Sequence, residues 1–168
     1  MSQEQPVMLS NARTLTAGYS DSEDRLWLRF GGDETAVQMW LTRALLGKLL
    51  TSVWGYLADT VEAPQVASPS GAVRAEREVA LEEKPPMTDA EARVKQPQAM
   101  SHKPVQAGLI ASVHLKRVGN RTRVTFSAAS GQVMMSFDRP GLHQMLNLLS
   151  QRAETSKWGL GQPWSGQS

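Results

Sequence analysis

Basic and aromatic side chains alternate along two short segments of this sequence, and together they could hold an anionic or aromatic ligand on a flat surface. They are Arg25, Trp27, Arg29 and Trp40 in the first segment, and His114, Lys116, Arg121 and Arg123 in the second. Cations bind phosphates and flat rings stack on bases, so such a surface suits a single-stranded nucleic acid. Large rings beside arginines are also typical of protein–protein contacts.

The tryptophans are the main candidates for contacts with a protein partner. They are Trp27, Trp40, Trp54, Trp158 and Trp164. Trp27 and Trp40 fall at strand positions that alternate with apolar residues, so we predict that their rings point away from the core. Trp54 lies on a broad apolar helix face, and the other two lie in a glycine-containing tail. Since large exposed rings usually mark an interface, we assign all of them to partner binding.

Catalytic chemistry has little support in the sequence. The three histidines, His102, His114 and His143, show no spacing to carboxylates or hydroxyls that indicates a triad. No metal-binding H-x-x-H motif and no phosphate-binding glycine motif is present, and there is no cysteine. We therefore predict a protein that is not an enzyme and that has no catalytic residue, no metal and no cofactor.

The second half of the chain predicts a β-hairpin followed by a strand and a helix. The Gly119-Asn120 pair tolerates positive φ and suits a tight turn between strands near 109–118 and 121–128. The expected register places Val118 opposite Arg121 and Val113 opposite Phe126. A third strand follows near 132–137, and Asp138 then caps a helix whose second position is Pro140.

The first half repeats this pattern. Residues 25 to 53 align without a gap on residues 121 to 149 at an offset of 96. The identical pairs are Arg25/Arg121, Phe30/Phe126, Val37/Val133, Met39/Met135, Arg43/Arg139, Leu46/Leu142 and Leu50/Leu146. The apolar matches have period two before Thr42/Asp138 and a helical period after it, so each half is predicted to be a β-β-β-α unit, with Thr42 as the cap of the first helix.

These patterns predict an α+β fold in which two β-β-β-α repeats form an intramolecular pseudo-dimer, with antiparallel sheets and one helix per repeat. The units are expected at 7–58 and 107–154. A unit of about 50 residues buries too little surface to be secure alone, so the units should pack together or exchange between chains. The segment 59–106 has six of the nine prolines and no aromatic residue, which is typical of a flexible linker, and 155–168 is predicted to be a flexible tail.

Charge and composition bear on the compartment and on partners. A net charge of +2 hides an acidic first half and a basic C-terminal part, which favours attraction between the halves or an anionic partner. The polar start of the chain lacks a signal-peptide pattern, and the apolar-rich segment 37–57 is interrupted by Arg43 and Lys48. We therefore expect a cytoplasmic protein that makes no membrane contact.

Two hypotheses for function remain open. The first is a non-enzymatic binding or assembly module that contacts another protein, or a second copy of itself, through its tryptophans. The second is single-stranded nucleic-acid binding through the basic and aromatic sheet face. Repeated sheet-plus-helix units are similar in plan to those of PUR-type and Whirly-type proteins, a similarity of topology that rests on no sequence motif and implies no residue roles.

Overall fold

The computed structural model describes residues 6–60, 69–83, 103–156 and 158–159. This part of the chain forms a mixed α+β fold with a seven-stranded sheet and three helices. The strands are β1 (Val7–Ala12), β2 (Thr14–Ser20), β3 (Arg25–Gly31), β4 (Ala36–Leu41), β5 (Val105–Val118), β6 (Arg121–Ala128) and β7 (Gly131–Phe137). The helices are α1 (Arg43–Thr60), α2 (Pro69–Glu83) and α3 (Arg139–Thr155).

The β5–β6 hairpin has the register that the turn sequence predicts. Val118 pairs with Arg121, and the ladder continues to the pair of Val113 and Phe126. Gly119 adopts a φ of 65°, in the left-handed region that glycine enters without a steric cost.

Both long helices begin at the side chains predicted to cap them. Thr42 Oγ1 accepts a hydrogen bond from the Leu45 backbone N–H at 3.3 Å, and Asp138 Oδ1 accepts one from Gly141 N–H at 2.8 Å. Each cap satisfies a donor that has no partner within the first helical turn. In each half of the chain, one polar side chain therefore determines where the strand ends and the helix begins.

The sheet differs from the expected antiparallel arrangement. Its strand order is β1-β7-β6-β5-β4-β3-β2, and the pairings of β4 with β5 and of β1 with β7 are parallel. The first of these parallel pairings joins the meander β2-β3-β4 to the meander β5-β6-β7. The second adds an N-terminal strand beyond β7. Two strands, β1 and β2, therefore precede β3 and lie at different places in the sheet, whereas the predicted β-β-β-α unit has one strand there.

The sheet curls until its two ends meet. β1 and β2 are the outermost strands in the pairing order, yet Arg13 alone separates them in the chain. In a flat sheet, six strand spacings would hold them roughly 29 Å apart, whereas the Cα atoms flanking one residue are at most about 7 Å apart. The rings of Phe30 in β3 and Phe126 in β6 accordingly meet with centroids 4.8 Å apart, although two strands separate them in the pairing order.

The inner face of the curled sheet forms one core with the helices. Side chains of β3 and β6, including Leu28 and Val124, are fully buried together with Leu46 and Leu146 of the helices. The α3 helix contacts both β2 and β7, and its residues 142–150 are all buried. It also bonds to β2, because Arg152 Nε donates to the backbone oxygen of Ala17 at 2.8 Å.

A helix occupies part of the segment for which linker composition predicted flexibility. The α2 helix packs on α1 and α3, with Val73 and Ala80 buried. Its apolar contacts are few, because its sequence has no sustained stripe of apolar residues at helical spacing. Three hydrogen bonds to α3 hold it in addition: two are made by Glu76 and are described below, and in the third Arg77 Nη2 donates to Asn147 Oδ1 at 2.9 Å. The described part of the chain therefore has three helices, whereas one helix per repeat predicts two.

A β-bulge changes the side-chain alternation of β5. The pairing of β5 with β6 shifts register between Ile110 and Ser112. Because a bulge inserts one residue, it moves the preceding side chains to the opposite face. Ile110 is therefore buried and Leu109 is 40% exposed, whereas unbroken alternation from Val113, which pairs with the buried Phe126, would put Leu109 on the core face.

Candidate partner-binding surface

An apolar row crosses three neighbouring strands, β3 to β5, on the outer face of the sheet and is flanked by a glycine of β2. Gly18 pairs with Trp27, Trp27 with Trp40, and Trp40 with Leu109. Residues paired in this way project from the same face, and the alternating neighbours Leu26, Leu28 and Met39 are fully buried on the other face. We call Trp27, Trp40 and Leu109 the tryptophan row. The rings of Trp27 and Trp40 are partly exposed and point away from the core, as predicted.

The Trp27 ring lies flat over the neighbouring strand. A Cβ atom at Gly18 would approach Trp27 Cζ2 to 2.2 Å, so only a glycine leaves room for the ring there. The guanidinium carbon of Arg29 is 5.4 Å from the ring centroid, and Arg29 Nη2 donates to Gln38 Oε1 at 3.1 Å. The cation–π contact and this hydrogen bond hold Arg29 beside the tryptophan row.

Basic side chains continue the outer face on the β5–β6 hairpin. Lys116 pairs with Arg123, and His114 pairs with Thr125. His114, Lys116 and Arg123 are exposed, and none forms an ion pair within the described ranges. The hairpin therefore carries positive charge that no carboxylate of the described residues neutralises, on the same face as the tryptophan row but seven residues of β5, or roughly 23 Å, beyond Leu109 at Lys116.

Two further predicted basic residues lie nearer the margins of this face. Arg25 pairs with Ser20 at the turn end of β3 and is partly buried. Arg121 donates from Nε to Ser136 Oγ and from Nη2 to the Ser136 backbone oxygen, both at 3.0 Å. These bonds direct the Arg121 guanidinium toward β7, so it lies apart from the surface formed by Lys116 and Arg123.

The other predicted tryptophans do not join the outer face. Trp54 is 9% exposed and packs in the core, with its ring 6.1 Å from the His143 ring. Trp158 is 6% exposed. Trp164 lies outside the described residues, as does His102. The structure thus groups Trp27 with Trp40 and separates both from Trp54 and Trp158.

Trp158 fastens the chain beyond α3 to the β2–β3 hairpin. Its Nε1 donates to Asp24 Oδ1 at 2.9 Å, its ring meets the Tyr19 ring edge-on, and Arg43 lies over it at 5.4 Å. The Tyr19 hydroxyl also donates to Asp24 Oδ1, at 2.5 Å. The bond from Tyr19 and then that from Trp158 hold the pKa of Asp24 below its ordinary value, because they stabilise the carboxylate. The hydrogen bond from the Tyr19 hydroxyl to Asp24 also raises the pKa of Tyr19.

A polar cluster joins the three helices. Glu76 of α2 accepts hydrogen bonds from Arg139 Nε at 2.8 Å and from His143 Nε2 at 2.7 Å. Arg139 also donates to Thr60 Oγ1 at 2.7 Å and to the Leu57 backbone oxygen at 2.9 Å, both in α1. Sequence reasoning missed this cluster, since Glu76 lies more than sixty residues from its partners and inside the expected linker.

The protonation states in this cluster follow from burial and hydrogen bonding. Burial raises the pKa of Glu76, but the hydrogen bonds from Arg139 and His143 outweigh it, so the net pKa lies below the ordinary value. Burial lowers the pKa of His143 more than the bond to Glu76 raises it. His143 is thus neutral at pH 7, with its Nε2–H donating to the carboxylate, while the buried Nδ1 has no partner within the described part of the chain.

Metal binding and membrane insertion each need a particular arrangement of residues. Within the described ranges, no group of three His, Asp or Glu side chains is placed to hold a metal ion. None of the helices there combines the length and apolar character needed to cross a bilayer.

Comparisons with protein families, with characterised proteins and with solved structures found no match to this chain.

Proposed function

We propose that this protein is a non-enzymatic binding or assembly module that contacts another protein through the tryptophan row. The observation that carries the proposal is the contiguous placement of Trp27, Trp40 and Leu109 on the outer face, opposite the helices. Trp and Arg are the residue types that contribute most to protein–protein binding, and Arg29 lies against the row.

The charges on the same face as the row favour a partner of a particular chemistry. Lys116 and Arg123 have no ion-pair partner among the described residues and lie seven residues, or roughly 23 Å, along β5 from Leu109, so the partner should offer an apolar or aromatic anchor for the row and acidic residues at that distance from it. Such a charge pattern steers association and fixes orientation. A second copy of this chain is the other candidate partner, and the acidic turn residues Asp33 and Glu34 could meet the basic hairpin in a head-to-tail contact.

We also propose that the chain arose by internal duplication and forms an intramolecular pseudo-dimer. The orders β2-β3-β4-α1 and β5-β6-β7-α3 match, in support of this origin. The pair Leu26 and Leu41 becomes the pair Thr122 and Phe137 when 96 is added to each number. The two units then share one sheet through the pairing of β4 with β5, and we expect the protein to act in the cytoplasm without a membrane contact.

Mutation of the row tests the protein-contact function. The variants Trp40→Ser and Leu109→Ser remove apolar surface from the outer face, and Met8→Ser, at an exposed apolar residue of β1, is the matched control. We expect the first two to lose a co-purifying partner, or self-association measured by light scattering, while their circular dichroism stays that of the parent. Met8→Ser should keep both. Unchanged mass and unchanged partners in the two row variants would refute the proposal.

Single-stranded nucleic-acid binding is the second candidate function, favoured by Lys116 and Arg123, which have no ion-pair partner among the described residues and lie on the same face of the sheet as the rings of Trp27 and Trp40. It is the weaker of the two because Arg29 lies over the Trp27 ring, so a base could stack there only after displacing it. The test is oligonucleotide binding as a function of salt. Lys116→Ala combined with Arg123→Ala should reduce the slope of log K against log salt by about 1.4, at about 0.7 for each phosphate that the variant no longer neutralises. Absence of binding at low salt would exclude this function.

A further inference from the structure

A cavity of about 330 Å³ lies between α3, β2 and β7, away from the tryptophan row. Its apolar wall is formed by Leu15, Met135, Phe137, Met145 and Leu148. The volume is at the lower end of the range for small-molecule sites, which are mostly apolar with a few polar groups that fix orientation.

One polar group in the wall of this cavity has no partner in the described chain. Gln144 is 8% exposed, and its Nε2 is buried without a hydrogen bond. A buried amide donor without a partner is costly, at about 1–3 kcal/mol, and such groups are rare in native proteins. A half turn about the last side-chain bond lets the amide present either its nitrogen or its oxygen to the cavity, so Gln144 can bind a polar group placed there.

A positive charge lies at the mouth of the same cavity. Arg121 lines it, and although Nε and Nη2 of Arg121 bond to Ser136, Nη1 has no acceptor in the described chain. Two other charged groups of the lining are already engaged. Arg13 pairs with Asp33 at 2.9 Å, and Asp138 caps the N-terminus of α3.

Arg121 also lines a second, polar cavity of about 250 Å³ that adjoins the first. Arg117 and Arg139 contribute to this neighbouring cavity, and among the described residues that line it Glu76, bonded to Arg139 and His143, is the one acidic group. The second cavity therefore adds positive potential beside Arg121. An anionic group at the boundary between the two cavities is favoured over a neutral one.

We propose that the first cavity binds a small anionic amphiphile, of which a medium-chain carboxylate is the simplest chemical representative. The anionic head accepts hydrogen bonds from Arg121 Nη1 and from the Gln144 amide, and the apolar tail lies against Met135, Met145 and Leu148. This site is separate from the outer face, so it would bind its ligand whether or not the tryptophan row contacts a partner.

Titration with straight-chain carboxylates, followed by ¹H–¹⁵N correlation spectra of the whole chain, tests the site. From butanoate to hexanoate to octanoate, affinity should rise about fourfold for each added methylene, which corresponds to about 0.8 kcal/mol per buried CH₂. Shifts should centre on Gln144, Met145 and Met135. Hexan-1-ol, which keeps the tail and lacks the charge, should bind more weakly than hexanoate.

Two variants and a matched control make the result decisive. Arg121→Gln should weaken octanoate about tenfold and bring hexanoate and hexan-1-ol to similar affinities, and Gln144→Leu should weaken octanoate while raising the unfolding temperature of the free protein. Arg123→Gln removes an exposed arginine two positions along β6 that does not line the cavity, and it should bind like the parent. The proposal is overturned by the absence of octanoate binding, by equal affinities of Arg121→Gln and the parent, or by shifts that centre on the outer face.

Discussion

The bonds that hold α2 against α3 lead to a quantitative prediction for Glu76→Gln. The substitution keeps the shape of the side chain and removes its charge. Glu76 accepts two charge-assisted or buried hydrogen bonds, from Arg139 and His143, and glutamine has one oxygen with which to keep one of them. Its amide N–H₂ would face the other partner, so either that donor loses its acceptor or His143 moves its proton to the buried Nδ1, which has no acceptor among the described residues.

The expected loss of stability follows from these contacts. A hydrogen bond to a charged group contributes about 1.5–3 kcal/mol, and the bond that survives becomes a neutral one. The Glu76 side chain is 27% exposed, so water recovers part of the loss. Arg139 keeps its bonds to Thr60 and Leu57. We therefore expect the free energy of unfolding to fall by about 2–3 kcal/mol, or roughly 4–12 °C in Tm for a chain of this size.

Urea unfolding at pH 7, followed by tryptophan fluorescence, provides the measurement, and Glu82→Gln is the matched control. Glu82 is an exposed residue on the same helix, so its substitution should change the free energy of unfolding by less than about 0.5 kcal/mol. If Glu76→Gln proved no more destabilising than Glu82→Gln, the α2 helix would not be held by this cluster, and the account of the three-helix contact would be wrong.

Two further predictions concern pH and the chain beyond α3. The pKa of His143 lies below its ordinary value of 6.5, so at pH values just under 6.5 the unfolded state takes up a proton that the folded state does not. The free energy of unfolding should therefore fall as the pH is lowered through and below 6.5. His143→Gln should flatten this part of the pH profile, measured by urea unfolding. A profile of unchanged slope in the variant would contradict the assignment. Trp158→Ala removes a ring that is 94% buried and packs against Tyr19. We expect the free energy of unfolding, measured in the same assay, to fall by about 3 kcal/mol, the low end for truncation of a buried Trp. The control Val79→Ala, at an exposed apolar residue, should have little effect. Stability equal to that of the Val79→Ala control would show that the Trp158 contact is dispensable.

Local features of the fold could be predicted from the sequence because they depend on neighbouring residues. The hairpin register at Gly119 and the helix caps at Thr42 and Asp138 each follow from a few adjacent side chains. The outward direction of Trp27 and Trp40 follows from strand alternation in the same way. Strand alternation is thus the predictable feature that puts Trp27 and Trp40 of the tryptophan row on the outer face.

Features that depend on distant parts of the chain could not be predicted. The position of Leu109 in the row required a bulge, which alternation alone does not reveal. The burial of Trp158 depends on a contact with Asp24, which lies in the first hairpin. The α2 helix has a weak apolar pattern, and its polar partners Arg139 and His143 come late in the sequence, so its composition was typical of a linker.

The junction at Arg13 has a consequence for how the protein is made. β1 leaves the ribosome more than a hundred residues ahead of β7, the strand with which it pairs. The nascent chain must therefore keep β1 unpaired until β7 has emerged, so the pairing that brings β1 to the edge of the sheet forms only after the other strands have been synthesised. A chain without β1 would leave that edge of β7 open permanently and should self-associate by edge pairing.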